Sequence, residues 1–310
     1  MPFVQTHKLN IHYEVADTGK VILVLVHGNF ASWRWWRPVL ERLPSGYSAY
    51  APDLRGCGDT DRPRSGHTIR RLALDLHDFA EALSLPPFHL VGHSLGGSVA
   101  LEFAFKHSEL LQSLTLVAPP PAEGMSHSQG GNNNSSSMSG LASLGTSRRL
   151  LRTLGVNRSM LRMALMSVTP TLARDHNFEA LVSDAGRMCP EAIDGLLRSL
   201  EKWNARTKLR KLRLPILILG GELDKLIPPA SLQGYAKSRS NRRLIVWPNV
   251  GHAPQLEDPD RFLRLLIKFV DENSTEPIVG IRRRLSHLWG KIPRIRFLAR
   301  TNPEWPSSKM

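Results

Sequence analysis

Short apolar runs closed by glycine or proline recur along the chain, and they predict the strands of a sheet. Residues 21–26 form an unbroken run of Val, Ile and Leu before His27-Gly28, which is typical of a strand buried on both faces. Apolar and polar side chains alternate over residues 10–15, which predicts a hairpin strand at the sheet edge. Similar runs predict further strands at residues 47–51, 88–91, 114–118, 216–219 and 244–247.

Helical spacing of apolar residues fills most intervals between these runs. Thr68 can cap a helix with apolar residues at intervals of three and four, and Asp258-Pro259 can begin another. Strands and helices therefore alternate along the chain. This alternation predicts an α/β fold with a mostly parallel, doubly wound sheet.

The alternation breaks between Pro119 and about Arg210. Residues 124–140 are a low-complexity segment rich in Gly, Ser and Asn, which is too polar to bury a core of its own. Helical spacing returns after it, and strand patterns resume only at Pro215. We therefore predict a core in two parts, residues 1–118 and 211–272. An inserted helical cap (residues 119–210) lies between them in the sequence, and a basic tail (residues 273–310) follows.

Composition is that of an ordinary globular protein, since 41% of the residues are hydrophobic and 22% are charged. The formal net charge of +14 raises the question of nucleic-acid binding. Much of this charge lies in residues 273–310, where eight Lys or Arg face two Glu, and no nucleic-acid-binding motif accompanies it. We therefore expect no nucleic-acid partner.

The two cysteines, Cys57 and Cys189, lack the spacing of metal ligands, so we expect reduced thiols and no metal site. Residues 21–26 are too few to span a bilayer, and the first ten residues lack the apolar run of a signal peptide. We therefore expect a cytoplasmic protein.

The clearest chemical motif is Gly92-His93-Ser94-Leu95-Gly96-Gly97, which we call the elbow (residues 92–97). It lies between the predicted strand at 88–91 and a helical stretch at 98–107. A tight turn from strand to helix, flanked by glycines, exposes a serine hydroxyl at a helix N-terminus. Ser94 is therefore the candidate nucleophile.

A serine hydroxyl needs a base to take its proton and a carboxylate to fix the tautomer of that base. Asp224 follows the predicted strand at 216–219, and His252 follows the one at 244–247. Both loops fall at the sheet edge where Ser94 emerges, so Asp224 and His252 are the candidate partners. Glu222, on the same loop as Asp224, is a rival for the acid.

The segment His27-Gly28-Asn29-Phe30 ends the first long strand at that same edge. Acyl transfer requires two backbone N–H groups directed at the developing oxyanion. We assign this role to the amides of Asn29 and Leu95, and we expect His27 to orient the loop rather than to exchange protons. Phe30, Trp33 and Met163 are candidate walls of a substrate pocket, although packing alone also explains them.

With these motifs, the chain resembles the α/β-hydrolase fold family, in its esterase-like branch with an inserted cap. The resemblance covers Val21 to about Val270 and implies a triad of Ser94, His252 and Asp224. It rests on five motifs in the family's order: His27-Gly28, residues 53–58, the elbow, residues 221–228 and residues 251–259.

Departures from relatives narrow the chemistry that the resemblance implies. Epoxide hydrolases and haloalkane dehalogenases of this fold use an Asp nucleophile, whereas this chain has Ser94. Carbon–carbon bond hydrolases usually carry a Gly-Pro-Gly run where this chain has residues 29–32, Asn-Phe-Ala-Ser. We expect a serine hydrolase that cleaves small or medium carboxylic esters through an acyl-enzyme intermediate, without a metal or organic cofactor. Lactonase, thioesterase, amidase or carbon–carbon hydrolase activity on the same triad, and a non-catalytic binding scaffold, are the alternatives.

The tail carries a short basic amphipathic pattern that begins at Ile281 and ends near Pro293. Leu285 and Trp289 share its apolar face, and Arg282 lies elsewhere. Such a helix predicts weak contact with a membrane surface through residues 281–300 or, alternatively, packing on the protein's own surface.

Overall fold

The computed structural model describes residues 2–17, 19–125, 157–172, 178–236 and 240–275. These residues contain an eight-stranded sheet with the order β1-β2-β4-β3-β5-β6-β7-β8. Its strands are β1 Phe3–Gln5, β2 Asn10–Asp17, β3 Val21–Val26, β4 Tyr47–Pro52, β5 Phe88–His93, β6 Leu111–Val117, β7 Ile216–Gly221 and β8 Arg242–Trp247.

Ten α-helices connect and flank these strands in the described part of the chain. They are α1 Arg37–Glu41, α2 Ile69–Ala82, α3 Leu95–Ala104, α4 Arg158–Val168, α5 Phe178–Gly186, α6 Pro190–Lys202, α7 Arg206–Leu209, α8 Gln233–Ala236, α9 Pro254–Glu257 and α10 Pro259–Asp271. The side chain of Thr68 accepts a hydrogen bond from the Arg71 amide and caps α2. Asp258 caps α10 in the same way. Both predicted helix starts are confirmed.

The predicted doubly wound, mostly parallel sheet is also confirmed. Strands β3 to β8 pair in parallel, and only β1 and β2 run antiparallel to their neighbours. The expectation that residues 10–15 form the edge strand is wrong, because β1 pairs outside β2, with Phe3 opposite His12. A strand of three residues is too short to produce a recognisable alternation of polar and apolar positions.

The strand order has its switch point between β3 and β5. Strand β3 lies between β4 and β5, so the chain leaves β3 towards one side of the sheet and later returns on its other side. Ligands of open α/β sheets bind at this switch point, outside the carboxyl ends of the strands. All six residues of β3 are buried, which agrees with its continuous apolar sequence.

Between β6 and β7 the described residues form α4, α5, α6 and α7, within the insert (residues 119–210). Leu161 of α4 and Leu181 of α5 pack in one buried cluster with Trp35 and Leu256. Residues 126–140 of the low-complexity segment and the predicted membrane contact at 281–300 lie outside the described residues. No helix in the described part of the chain is long and apolar enough to cross a bilayer.

His89 of β5 is expected to make stability depend on pH. Burial lowers the pKa of His89 from 6.5 to about 4, and its ring nitrogens contact the hydroxyls of Ser113 and Ser274. Between pH 6.5 and 4 the unfolded chain binds a proton at this site that the folded chain does not. The free energy of unfolding therefore decreases as the pH is lowered from 6.5 to 4, by up to about 3 kcal/mol from His89 alone.

Urea unfolding measured from pH 7 to pH 4 checks this expectation. The decline should be shallower for His89→Gln than for the native chain, because glutamine does not titrate. Equal slopes for the two proteins would contradict it.

Candidate active site

Ser94 lies in a strained turn between β5 and α3. Its φ of 51° and ψ of −124° are sparsely populated by residues other than glycine. The Ser94 amide donates to the Val117 carbonyl oxygen at 2.8 Å, which ties the turn to β6. A Cβ at Gly96 would lie 2.4 Å from the His27 carbonyl oxygen, so the turn approaches the end of β3 too closely for any side chain there. The elbow therefore holds Ser94 at the carboxyl end of β5, between the ends of β3 and β6.

The loop after β3 (residues 27–33), which we call the oxyanion loop after its predicted role, lies directly against this turn. A Cβ at Gly28 would come within 3.0 Å of the Ser94 Cβ, so the loop backbone passes beside the candidate nucleophile. Leu95 is the first residue of α3, and its amide has no acceptor within the helix. The Asn29 Oδ1 atom is buried without a hydrogen-bond partner among the described residues. Leu95 follows Ser94 in the chain, and Asn29 follows Gly28 in the loop that passes beside Ser94.

His27 joins the oxyanion loop to the loop after β4. Its Nε2 accepts a hydrogen bond from the Leu54 amide at 3.0 Å, so Nδ1 carries the proton and donates to the Gly28 carbonyl at 2.8 Å. Burial lowers the pKa of this ring. Both nitrogens of a neutral imidazole are therefore used in holding the loop, and neither is free for proton transfer.

Asp224 and His252 lie on the loops that follow β7 and β8, and both are buried. The Nδ1 atom of His252 is 2.7 Å from Asp224 Oδ2. The other carboxylate oxygen, Oδ1, accepts the amides of Leu226 and Ile227 at 2.9 and 2.8 Å. A carboxylate oxygen only accepts, so Nδ1 of His252 is the donor in this contact, and in the neutral tautomer that fits it Nε2 is the nitrogen with the free lone pair.

Glu222 points elsewhere. It is exposed, and its Oε2 accepts a hydrogen bond from the Asn249 amide at 3.2 Å. The amide of Leu223 donates to the Val250 carbonyl at 2.8 Å. This bond joins the loop after β7, which carries Asp224 (the acid loop), to the loop after β8, which carries His252 (the histidine loop). Of the two candidate acids, the structure therefore brings Asp224, and not Glu222, to His252.

His93, which sequence reasoning passed over, connects the elbow to the histidine loop. Its Nε2 donates to the His252 carbonyl oxygen at 2.9 Å, and its ring stacks on Trp35 with centroids 5.0 Å apart. Burial lowers the pKa of His93 well below its ordinary value, so the ring is neutral. The Ser94 hydroxyl forms no hydrogen bond to another described side chain. His252 is thus held against the residue next to Ser94.

The insert also contacts the histidine loop, which no sequence signal indicated. The His252 amide donates to the Val168 carbonyl, at the end of α4, at 2.7 Å. Glu257 accepts the amides of Gly251 and Ala253, both at 3.1 Å, and the hydroxyl of Thr171 in the insert. The backbone on both sides of His252 is therefore fixed by these contacts.

The candidate pocket residues do not form one cluster in the described part of the chain. Phe30 is half-buried and packs against core residues. Trp33 is buried, and its amide donates to Asp53 Oδ1 at 2.8 Å. Met163 on α4 is 64% exposed. The substrate pocket stays a prediction.

Two groups of described residues have the ligand types of a metal site. They are His12, Asp53 and Asp59, and His77, Asp78 and Glu81. Asp53 is already used by the His12 ring and by backbone amides, and Asp78 binds Arg71. Neither group includes Ser94, Asp224 or His252.

Several known proteins similar to this chain are named as hydrolases or esterases. The model of the family described as alpha/beta hydrolase matches residues 23–265. A soluble epoxide hydrolase from Corynebacterium sp. strain C12 is 37% identical over 107 residues, which are 34% of this chain and 37% of that protein. A pimeloyl-[acyl-carrier protein] methyl ester esterase from Aeromonas hydrophila is 28% identical over 252 residues, covering 80% of this chain and 94% of that protein. An esterase structure from Exiguobacterium antarcticum has a TM-score of 0.76 at 22% identity, over 87% of this chain and 98% of that chain.

Proposed function

Because the chain belongs to the alpha/beta hydrolase family, we propose that this hydrolase uses Ser94 as its nucleophile and cleaves small or medium carboxylic esters. The observation that carries the proposal is the buried Asp224–His252 pair, with its 2.7 Å contact, at the sheet edge where the strained elbow presents Ser94. This is the arrangement in which a histidine base can activate a serine hydroxyl.

The proposed chemistry starts from the contact between His252 Nδ1 and Asp224. His252 Nε2 takes the Ser94 proton as the hydroxyl oxygen attacks the ester carbonyl carbon, and Asp224 stabilises the imidazolium that forms. The amides of Asn29 and Leu95 donate to the tetrahedral oxyanion. The alcohol leaves with the proton from His252. Water then attacks the acyl carbon as the same ring takes its proton, and the ring returns that proton to the Ser94 oxygen as the bond from that oxygen to the acyl carbon breaks and the acid leaves.

The choice of esters rests on the relatives and on Ser94. The Aeromonas relative and the Exiguobacterium structure are named esterases. The Corynebacterium relative is named an epoxide hydrolase, a class that in this fold uses an aspartate where this chain has Ser94. Lactonase, thioesterase, amidase or carbon–carbon hydrolase activity would use the same groups, so a substrate series has to separate them.

A fluorophosphonate probe tests the nucleophile directly, because it phosphonylates an activated serine and leaves ordinary serines unmodified. We expect the folded native chain to be labelled once, with the label on the peptide that contains Ser94, and Ser94→Ala to remain unlabelled. Folded native protein that takes up no label would favour the non-catalytic scaffold and overturn the proposal. For the substrate, p-nitrophenyl esters from acetate to octanoate should show the highest kcat/KM at short or medium acyl length.

A further inference from the structure

Asp184 is a buried carboxylate of the insert that reaches across to the oxyanion loop. It lies on α5 and is 4% exposed. The Ser32 hydroxyl donates to its Oδ2. The Arg34 guanidinium donates to both carboxylate oxygens through Nη1, at 3.0 and 3.1 Å. One side chain of the insert therefore holds two residues of the core loop, 152 and 150 positions away in the sequence.

Ser32 transmits this contact to the loop backbone. Its side chain is fully buried, and its oxygen also accepts the Arg34 amide at 3.2 Å, which caps the short 3₁₀ helix Trp33–Trp36. The amide of Trp33, which lies between Ser32 and Arg34, donates to Asp53 Oδ1 at 2.8 Å. The end of the oxyanion loop is thus anchored by two carboxylates, Asp53 from the core and Asp184 from the insert.

The loop needs such anchors because its own conformation is unfavourable. Phe30 has a φ of 53°, a left-handed conformation that costs free energy for a residue with a side chain. The neighbouring Asn29 has a buried Oδ1 without a partner among the described residues. A strained segment persists only where its surroundings over-determine it. Ser32 lies two residues after Phe30, so its anchor acts on the strained segment itself.

We propose that Asp184 is a positioning residue: through Ser32 and Arg34 it holds the oxyanion loop so that the Asn29 amide points at the developing oxyanion. This inference rests on the serine hydrolase function proposed above. It assigns the insert a part in transition-state stabilisation, in addition to any part in enclosing the substrate. A buried ion pair alone is weak evidence for a role in stability, because apolar groups of similar volume often stabilise a protein equally well.

Steady-state kinetics with p-nitrophenyl butyrate test the proposal on Asp184→Asn and Ser32→Ala. We expect each to lower kcat on the order of 10- to 100-fold, because misplacement of a donor by less than an ångström weakens only the transition state. KM should stay within about 3-fold of the native value, since the ground-state ester makes little use of the oxyanion amides. The double variant should lose about as much activity as the more impaired of the two single variants, because both changes act on the Ser32–Asp184 contact.

Glu179→Gln is the matched control. Glu179 is an exposed carboxylate on the same helix, and it pairs with Arg158 and Arg162 within the insert. This variant should keep the native kcat. Loss of stability is followed separately by thermal unfolding of every variant.

Labelling with the fluorophosphonate probe separates the two proposals. Slow but complete labelling of the variants, beside rapid labelling of the native chain, supports the positioning role. Absence of label on the native chain instead refutes the hydrolase function itself. Native kcat in folded Asp184→Asn and Ser32→Ala, or a raised KM with unchanged kcat, would overturn the positioning role. If Asp184→Asn does not fold, Ser32→Ala decides alone.

Discussion

Ser94→Ala is expected to lower kcat for p-nitrophenyl butyrate by about 10⁵- to 10⁶-fold, the loss typical of a serine nucleophile. The variant keeps the amides of Asn29 and Leu95, so only the residual rate from oxyanion stabilisation and substrate binding should remain. Its melting temperature should stay close to the native value, because alanine meets the same backbone strain as serine. Turnover measured beside thermal unfolding checks both statements.

Ser94→Gly gives a second readout of the same turn. It should be as inactive as the alanine variant but more stable, because glycine adopts the φ of 51° freely. Relief of the backbone strain should stabilise the glycine variant by about 1 to 3 kcal/mol. The greater conformational freedom of glycine in the unfolded chain offsets roughly 1 kcal/mol of this gain. Alanine and glycine variants that retain turnover within tenfold of the native chain would show that the nucleophile lies elsewhere.

Asp224→Asn is expected to lower kcat by about 10³- to 10⁴-fold with little change in melting temperature. The asparagine oxygen can still accept the amides of Leu226 and Ile227, so its NH₂ group faces His252. That group donates to Nδ1 and forces the imidazole proton onto Nε2. The base then presents a proton, instead of a lone pair, towards the Ser94 side. Steady-state kinetics together with thermal unfolding measure the effect.

Glu222→Gln is the control for this prediction. The side chain is exposed and binds only the Asn249 amide among the hydrogen bonds described above, and glutamine can still accept that bond. Its kcat should therefore stay within about twofold of the native value, as is usual for a surface substitution. A larger loss in Glu222→Gln than in Asp224→Asn would assign the acid to the other carboxylate.

The sheet and the place of the candidate site were predictable because both depend on local patterns. Apolar runs that end in glycine or proline define the parallel strands, and the carboxyl ends of parallel strands meet at one edge. This places Ser94, Asp224 and His252 together without any knowledge of packing. The edge strand β1 was missed because its three residues carry no periodicity.

Other features depend on contacts that no sequence spacing records. Asp224 and Glu222 are two positions apart on one loop, and only the course of the backbone decides which of them faces His252. The Ser32–Asp184 contact joins positions 152 residues apart, across an insert with irregular spacing. Met163 is a pocket candidate by its chemistry alone, and α4, which carries it, leaves its side chain 64% exposed.

The hydrogen bond from the His252 amide to the Val168 carbonyl links the histidine loop to the peptide backbone of the insert. Its acceptor is a main-chain atom, so almost any residue can occupy position 168 without loss of the bond. Evolutionary drift in the composition of this region is therefore tolerated, whereas a deletion or insertion that shifts the end of α4 displaces the acceptor. Recombination of this insert with that of a homologue has to preserve the length and path of the chain at this point more than its amino-acid identity.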